Sequence, residues 1–170
     1  MKTIKKILLC VLLAGFCLSA SGQGELKTIY REDVNPMEQI DEALSKASSE
    51  NKHVICQLGG NWCIWCLRFA DFIERDSTIS QLIDRNYVYI HVNYNPRNQA
   101  GTVRPEQTSA LLQRLGQPAR FGFPVLIVLN QEGKLLHIQD SSFLEEGKGY
   151  NHDKVLRFLR CWTPEAVKAD

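Results

Sequence analysis

The chain reads as an α/β protein with a mixed central sheet and helices on both of its faces. Three observations predict this. Segments of helical periodicity alternate with short β-rich runs from residue 36 to residue 162. The run "PVLIVL", Pro124 to Leu129, is apolar on both faces, as a strand covered on both sides must be. The turn "NQEG" then leads into "KLLHIQ", so the last two strands form a hairpin and the sheet gains antiparallel character.

Residues 1–22 precede that pattern. Lys2, Lys5 and Lys6 open an apolar run from Ile7 to Leu18, followed by Ser19, Ala20, Ser21 and Gly22. This order predicts a secretory signal peptide cut between Ala20 and Gly24, because the run is short for a bilayer span and small residues suit cleavage. Phe16 and Leu9, rather than small residues, precede Cys17 and Cys10, which argues against a lipoprotein anchor. The expected mature chain, residues 23–170, is one domain of 148 residues. It carries 17 basic against 19 acidic residues, or −2, where the full chain has +1, so nucleic acid is not an expected partner. The expected location is the periplasm or the extracellular space, where disulfides form and persist.

The elements follow in order. Residues 24–34 are polar and mixed, an irregular lead-in or a short edge strand. Asn35-Pro36 starts a helix, since asparagine caps free amides and proline suits the first turn. Ile40, Ala43, Leu44 and Ala47 give it one apolar face, and "SSENK" ends it. "HVICQL", His53 to Leu58, reads as a strand broken by Gly59-Gly60-Asn61. A second helix runs from Cys63 to Arg75 with Cys66, Phe69, Ala70 and Ile73 facing one way. Asp76 or Ser77 caps a short helix carrying Ile79, Leu82 and Ile83. "YVYIHV", residues 87–92, is the next strand. The connection "NYNPRNQAGTVRPEQ" leads to a helix over Thr108–Leu115, begun just after Pro105, and "GQPARFG" breaks it. Beyond the hairpin, Asp140 to Gly149 reads as a loop, and a last helix from His152 to Trp162 turns Val155, Leu156 and Leu159 inward.

Four cysteines remain after residue 22: Cys56, Cys63, Cys66 and Cys161. Cys63 and Cys66 are separated by two residues in "NWCIWC". Structural zinc takes four Cys or His ligands, often as two close pairs. The chain has one close pair, and His53, His91, His137 and His152 form no second, so neither a metal nor another cofactor is expected. A disulfide across so short a gap closes a very small loop and stabilises little. Dithiol–disulfide exchange fits the context better. Cys63 falls at the first turn of a helix, where free amides and the positive end of the dipole stabilise a thiolate. Cys66 falls one turn deeper. Cys63 is therefore the expected exposed nucleophile, and Cys66 the shielded thiol that resolves the mixed disulfide from within the chain. Cys56 and Cys161 are expected as small buried side chains, and a disulfide between them stays open.

"WCIWC", with the approach "SSENKHVICQLGGNWCIWC", resembles the active site of the thioredoxin superfamily, in particular secreted bacterial thioredoxin-like proteins with tryptophan before the second cysteine. "RFGFPVLIVLNQEGKLLHI", residues 120–138, resembles the family's cis-proline segment and the hairpin after it. The resemblance covers residues 36–162. It implies a thioredoxin fold and a thiol–disulfide oxidoreductase, with Pro124 as the cis-proline and Phe123 offering backbone hydrogen bonds to a bound peptide. It also implies cysteine-containing proteins as substrates and a membrane redox partner that supplies or accepts electrons. A monomer is expected.

Several residues qualify this resemblance. The family commonly places a buried aspartate six residues before the first cysteine, where this chain has Gln57. Glutamine hydrogen-bonds but takes no proton at ordinary pH, and the strand phase leaves it inward or outward. Ile64 and Trp65 lie between the cysteines, with no histidine or basic group to stabilise a thiolate strongly, which favours a reductase over an oxidase. Trp62 and Trp65 read as core residues or, preferably, as a shield for the pair and an apolar rim for a protein substrate. The competing function is a non-catalytic binding module that uses the same groove, with Cys63–Cys66 as a static disulfide. A peroxidase would need a Pro/Thr-rich, arginine-supported cysteine pocket, which "NWCIWC" does not offer. Arg97, Arg104, Arg114 and Arg120 mark residues 93–122 as a solvated insertion or as a wall of the groove. Residues 140–153 are open to the same two readings, with Tyr150 as their anchor.

Overall fold

Every position of two neighbouring strands is buried: β1, His53–Gly59, and β3, Val125–Leu129. A computed structural model describes residues 26–95 and 105–168. The segment read as a signal peptide, together with Arg97 and Arg104, lies outside the described residues. β2, Tyr87–Asn93, and β4, Leu135–Asp140, complete a four-stranded sheet in the order β2-β1-β3-β4. β1 and β2 run parallel, while β1–β3 and β3–β4 are antiparallel, so the sheet is mixed.

Alternation along the strands divides the core in two. Ile55, Leu126 and Val128 point to one face, where they meet Phe69, Ile73, Ile79, Leu156 and Leu159. Those residues come from α2, Ile64–Arg75, α3, Ser77–Asn86, and α5, His152–Cys161, the last element following α4, Pro105–Arg114. Val54, Cys56, Leu58, Val125 and Ile127 point to the other face. There they pack on Ile40 and Ala47 of α1, Pro36–Glu50, and on Leu111 of α4. Burying each large aliphatic side chain is worth about 1.5–3 kcal/mol, so both helical layers are held chiefly by this contact. The fold is the α/β thioredoxin-like architecture that the sequence predicts.

Local chemistry sets the helix starts. The Asn35 side chain accepts from Met37 N, Asp76 accepts from Thr78 N and Ile79 N, and Asn151 accepts from Lys154 N. These bonds satisfy first-turn donors that lack intrahelical partners.

Several boundaries differ from expectation. α4 begins at Pro105 itself, close to the expected start just after it, because proline is suited to a first helical turn, and it ends at Arg114 rather than Leu115. Residues 26–30 are irregular, the first of the two readings expected for the lead-in. The expected loop from Asp140 to Gly149 is built: a 3-10 turn, Ser141–Leu144, leads into a small hairpin of β5, Glu145–Glu146, and β6, Gly149–Tyr150. Asp140 caps that turn through Ser142 N, and Gly147, at φ 59, takes the left-handed conformation that closes the hairpin. A short helix α6, Pro164–Val167, follows α5 and is capped by Thr163.

Cys161 corrects a further expectation. It lies exposed at the end of α5, whereas Cys56 is fully buried. α5 packs on the opposite face of the sheet from Cys56, and both thiols are free.

Candidate active site

β1 ends at Gly59, and three residues later the chain enters α2 with Cys63 as its N-cap. That position usually holds a side-chain oxygen that accepts a first-turn amide. Here the acceptor is sulfur: Cys66 N donates to Cys63 Sγ at 3.2 Å. Cys63 N donates to Gly60 O at 3.0 Å and fixes the approach. The thiol of Cys66, hydrogen-bonded to the Cys63 sulfur, is the main cause that lowers the Cys63 pKa to about 7. Burial opposes the shift, and the backbone amides of Cys66 and Trp65 assist it. Cys66 moves the other way, well above the ordinary thiol range, through the same hydrogen bond and then burial. The charge therefore resides on Cys63 and the proton on Cys66.

The expected open exposure of Cys63 is corrected by the structure. Cys63 is 7% exposed and Cys66 0%. The two sulfurs share a small cluster with Tyr30, flanked by Trp65, Leu67 and Phe123. The Phe123 carbonyl lies 3.6 Å from Cys63 Sγ and accepts from it when the thiol is protonated.

The Phe123–Pro124 peptide bond is cis and precedes β3 directly. The Phe123 ring packs edge-on against Trp62 at 5.4 Å and lies 5.4 Å from Tyr94. Trp62 Nε1 donates to Tyr94 O at 3.0 Å, which holds the indole at the entrance while leaving it 43% exposed. Ile64 is 49% exposed at the first position of α2, and Phe121 is also exposed. Trp62, Cys63, Phe123 and Pro124 thus come together, with Ile64 beside them. Trp65 instead turns toward Tyr150, edge-on at 5.9 Å, with the Arg68 guanidinium over its ring. Tyr150 anchors the hairpin by donating to Trp65 O at 3.1 Å and packing on Phe69.

Gln57 points inward and is fully buried on the α2 side of β1. Its Nε2 donates to Tyr30 Oη at 2.6 Å and to Cys66 O at 3.0 Å. Its Oε1 accepts from Tyr89 Oη at 2.6 Å. Tyr30 comes from the lead-in, and Asn61 fastens that segment to the cysteine loop. Asn61 Oδ1 accepts from Ile29 N and Tyr30 N at 3.0 Å each, and its Nδ2 donates to Tyr30 O at 2.9 Å. Gly59 is required by the close approach, since a Cβ there would overlap Cys66 Sγ and the Tyr30 hydroxyl. His91 pairs in register with Gln57 and packs edge-on to Tyr30. Its Nε2 is buried with no hydrogen-bond partner among the described residues, and burial lowers its pKa to about 4.

Sequence reasoning missed Tyr30, Asn61 and Tyr89. Alternation along β2 places Tyr89 and His91 on one face, which was a usable signal for Tyr89. The lead-in carries no periodicity, so Tyr30 and its Asn61 tether left no such signal. Arg114 pairs with Asp41 and donates to Met37 O, while Arg120 donates to Gly116 O and Gln117 O. Arg114 thus ties α4 to α1, while Arg120 bonds within its own segment.

Residues 18–161 match the Thioredox_DsbH family, described as "Protein of unknown function, DUF255". A disulfide bond reductase DsbH of Chlamydia pneumoniae is 28% identical over 134 residues, which span 75% of this chain and 78% of the relative. A disulphide isomerase of Xylella fastidiosa Temecula1 is similar in structure, with TM-score 0.64 and 22% identity over 80% of this chain and 97% of its own. A DsbH oxidoreductase gives TM-score 0.50 and 19% identity over 95% of this chain and 99% of its own. At these identities the two structures speak to the fold alone.

Proposed function

Since the chain belongs to the Thioredox_DsbH family, we propose that it is an exported thiol–disulfide reductase acting on cysteine-containing proteins. The observation that carries this reading is the asymmetry of the pair: Cys63 caps α2 and accepts the Cys66 amide, while Cys66 lies fully buried behind it. The Cys63 thiolate attacks a substrate disulfide, forming a bond between its sulfur and one substrate sulfur. The other substrate sulfur leaves with the electron pair and takes up a proton. Cys66 then loses its proton and attacks Cys63 Sγ. The Cys63–substrate bond breaks, and the departing thiolate takes up a proton. The substrate gains two electrons and the pair becomes a disulfide.

The lack of a histidine or basic residue between Cys63 and Cys66, together with the moderate lowering of the Cys63 pKa, supports the reducing direction. A nucleophilic cysteine near pKa 7 accompanies reducing dithiols, whereas strong oxidants hold theirs near about 3.5. The donors to Cys63 are one thiol and backbone amides, and the shift stops at about 7. The exposed Trp62, Ile64 and Phe121 suit an apolar stretch of substrate, with Phe123 lending its backbone and Pro124 shaping the groove wall. The lysine-led apolar run of residues 1–22 supports export. A reductase in an oxidising compartment also requires an electron supply, for which a membrane redox partner is the proposal.

Mutants test the reading directly. With a small protein disulfide as substrate, Cys66→Ser accumulates a mixed disulfide through Cys63, and Cys63→Ser forms none. Wild-type protein that reduces no disulfide, and a Cys66→Ser variant that traps no mixed disulfide, would instead make the pair a static feature of a binding module.

A further inference from the structure

We propose that the Tyr30 hydroxyl donates the hydrogen bond that stabilises Cys66 sulfur as it becomes a thiolate, and that Gln57 and Tyr89 aim that donor. This rests on the reading of Cys63–Cys66 as an exchange pair. Resolution demands a thiolate at a fully buried sulfur, and Gln57 cannot take its proton.

The hydrogen-bond inventory directs the Tyr30 proton. The Cys66 carbonyl can only accept, so the amide nitrogen of Gln57 must face it. The same nitrogen donates to Tyr30 Oη, and the remaining amide oxygen accepts from Tyr89 Oη. The Tyr30 oxygen is thus an acceptor toward Gln57, which leaves its own proton for another group. The Cys66 sulfur lies beside it, both within the cluster that closes over Gly59. Tyr30 is 4% exposed and Gln57 0%, so bulk water does not compete for that proton. Asn61 holds the Tyr30 backbone at both its N–H and its carbonyl, which keeps the phenol in place.

Tyr30 donates without ionising. Burial, and then the charge of a Cys66 thiolate, hold its pKa well above the ordinary phenol range. The other titratable groups around the sulfur are Cys63 at the start of α2, Tyr89 on β2 and Tyr150 on β6, while His91 of β2 packs against the Tyr30 ring. In the resolving step Cys66 Sγ bonds to Cys63 Sγ, the Cys63–substrate bond breaks, and the departing substrate thiolate takes the proton lost by Cys66. Tyr30 keeps its own. It acts directly on a reacting atom, while Gln57 and Tyr89 are positioning residues.

The test is single-turnover reduction of a protein disulfide by the reduced mature protein, quenched with acid across pH so that both steps are resolved. Tyr30→Phe should leave formation of the mixed disulfide, and alkylation of Cys63, within about twofold of wild type. Resolution should slow by about ten- to a hundredfold, the loss expected for a hydrogen bond to a charged group, with its pH midpoint displaced upward. A second variant carries 3-fluorotyrosine at position 30, which keeps the ring and hydroxyl but donates more strongly. Its resolution midpoint should move downward. Resolution by Tyr30→Phe at the wild-type rate and midpoint would overturn the proposal. Should that variant not fold, an unmoved midpoint in the fluorinated protein overturns it equally. Wild-type protein that forms no mixed disulfide would overturn the exchange reading itself, and this proposal with it.

Discussion

Replacing Asn61 by alanine should loosen the lead-in segment from the cysteine loop and cost the fold about 2–3 kcal/mol. The side chain makes three strong contacts across more than thirty residues of sequence: it accepts from Ile29 N and Tyr30 N and donates to Tyr30 O. A neutral hydrogen bond contributes about 1 kcal/mol net, so the three together amount to about 3 kcal/mol. The contacts are only part-buried, so water recovers a share in the variant. Equilibrium urea unfolding of the reduced protein measures the loss, and an unchanged m-value assigns it to the folded state. Amide exchange at Ile29 and Tyr30 should accelerate along with it. Asn61→Asp keeps the acceptor and loses the donor, so it should cost roughly 1 kcal/mol. A loss in Asn61→Ala below about 0.5 kcal/mol, with exchange at both amides unchanged, would refute the claim that Asn61 is the tether.

Three further predictions use titration and accessibility. Alkylation of Cys63 should rise with a midpoint near pH 7, and Cys66→Ala should move that midpoint upward, because the Cys66 thiol is the largest cause of the lowered pKa. A midpoint unchanged in that variant would assign the effect to the backbone amides. His91 has a folded pKa of about 4, below its ordinary 6.5, so its neutral form is favoured by folding. The stability this contributes is complete above pH 6.5 and lost as pH falls toward 4, by up to roughly 3 kcal/mol, and His91→Gln should flatten that limb in pH-dependent unfolding. A maleimide should label exposed Cys161 in the native protein and leave Cys56 unmodified, since burial raises the Cys56 pKa to about 12. Peptide mapping after mild oxidation should find no Cys56–Cys161 disulfide.

The parts of the molecule legible in sequence are those governed by local periodicity. Ile40, Ala43 and Ala47 repeat on one helical face and are buried there. Val125 to Leu129 is apolar throughout and buried throughout. The cysteine spacing at a strand-to-helix junction and the proline before β3 were likewise readable, since each is a short motif with its own backbone chemistry. What escaped depends on contacts between distant segments. Gln57 was ambiguous because its phase matters only once Tyr30, 27 residues earlier, and Tyr89, 32 residues later, are in place. Cys161 was misplaced because the helical face of α5 buries Phe158 and Leu159 and turns the following cysteine outward. Part of the cover over Cys63 comes from Phe123, 60 residues away, and an exposure estimate from helix position alone misses it.

The central claim is that Cys63 and Cys66 form a reducing, exchangeable couple. Its most direct test is the reduction potential of that couple in a protein spanning residues 23–170, measured by equilibration against glutathione and dithiothreitol buffers. The account predicts a value near about −250 mV or lower, in the range of reducing dithiols. A value near about −120 mV, typical of a strong oxidant, would contradict the proposed direction, and a pair that never equilibrates with either buffer would contradict exchange altogether.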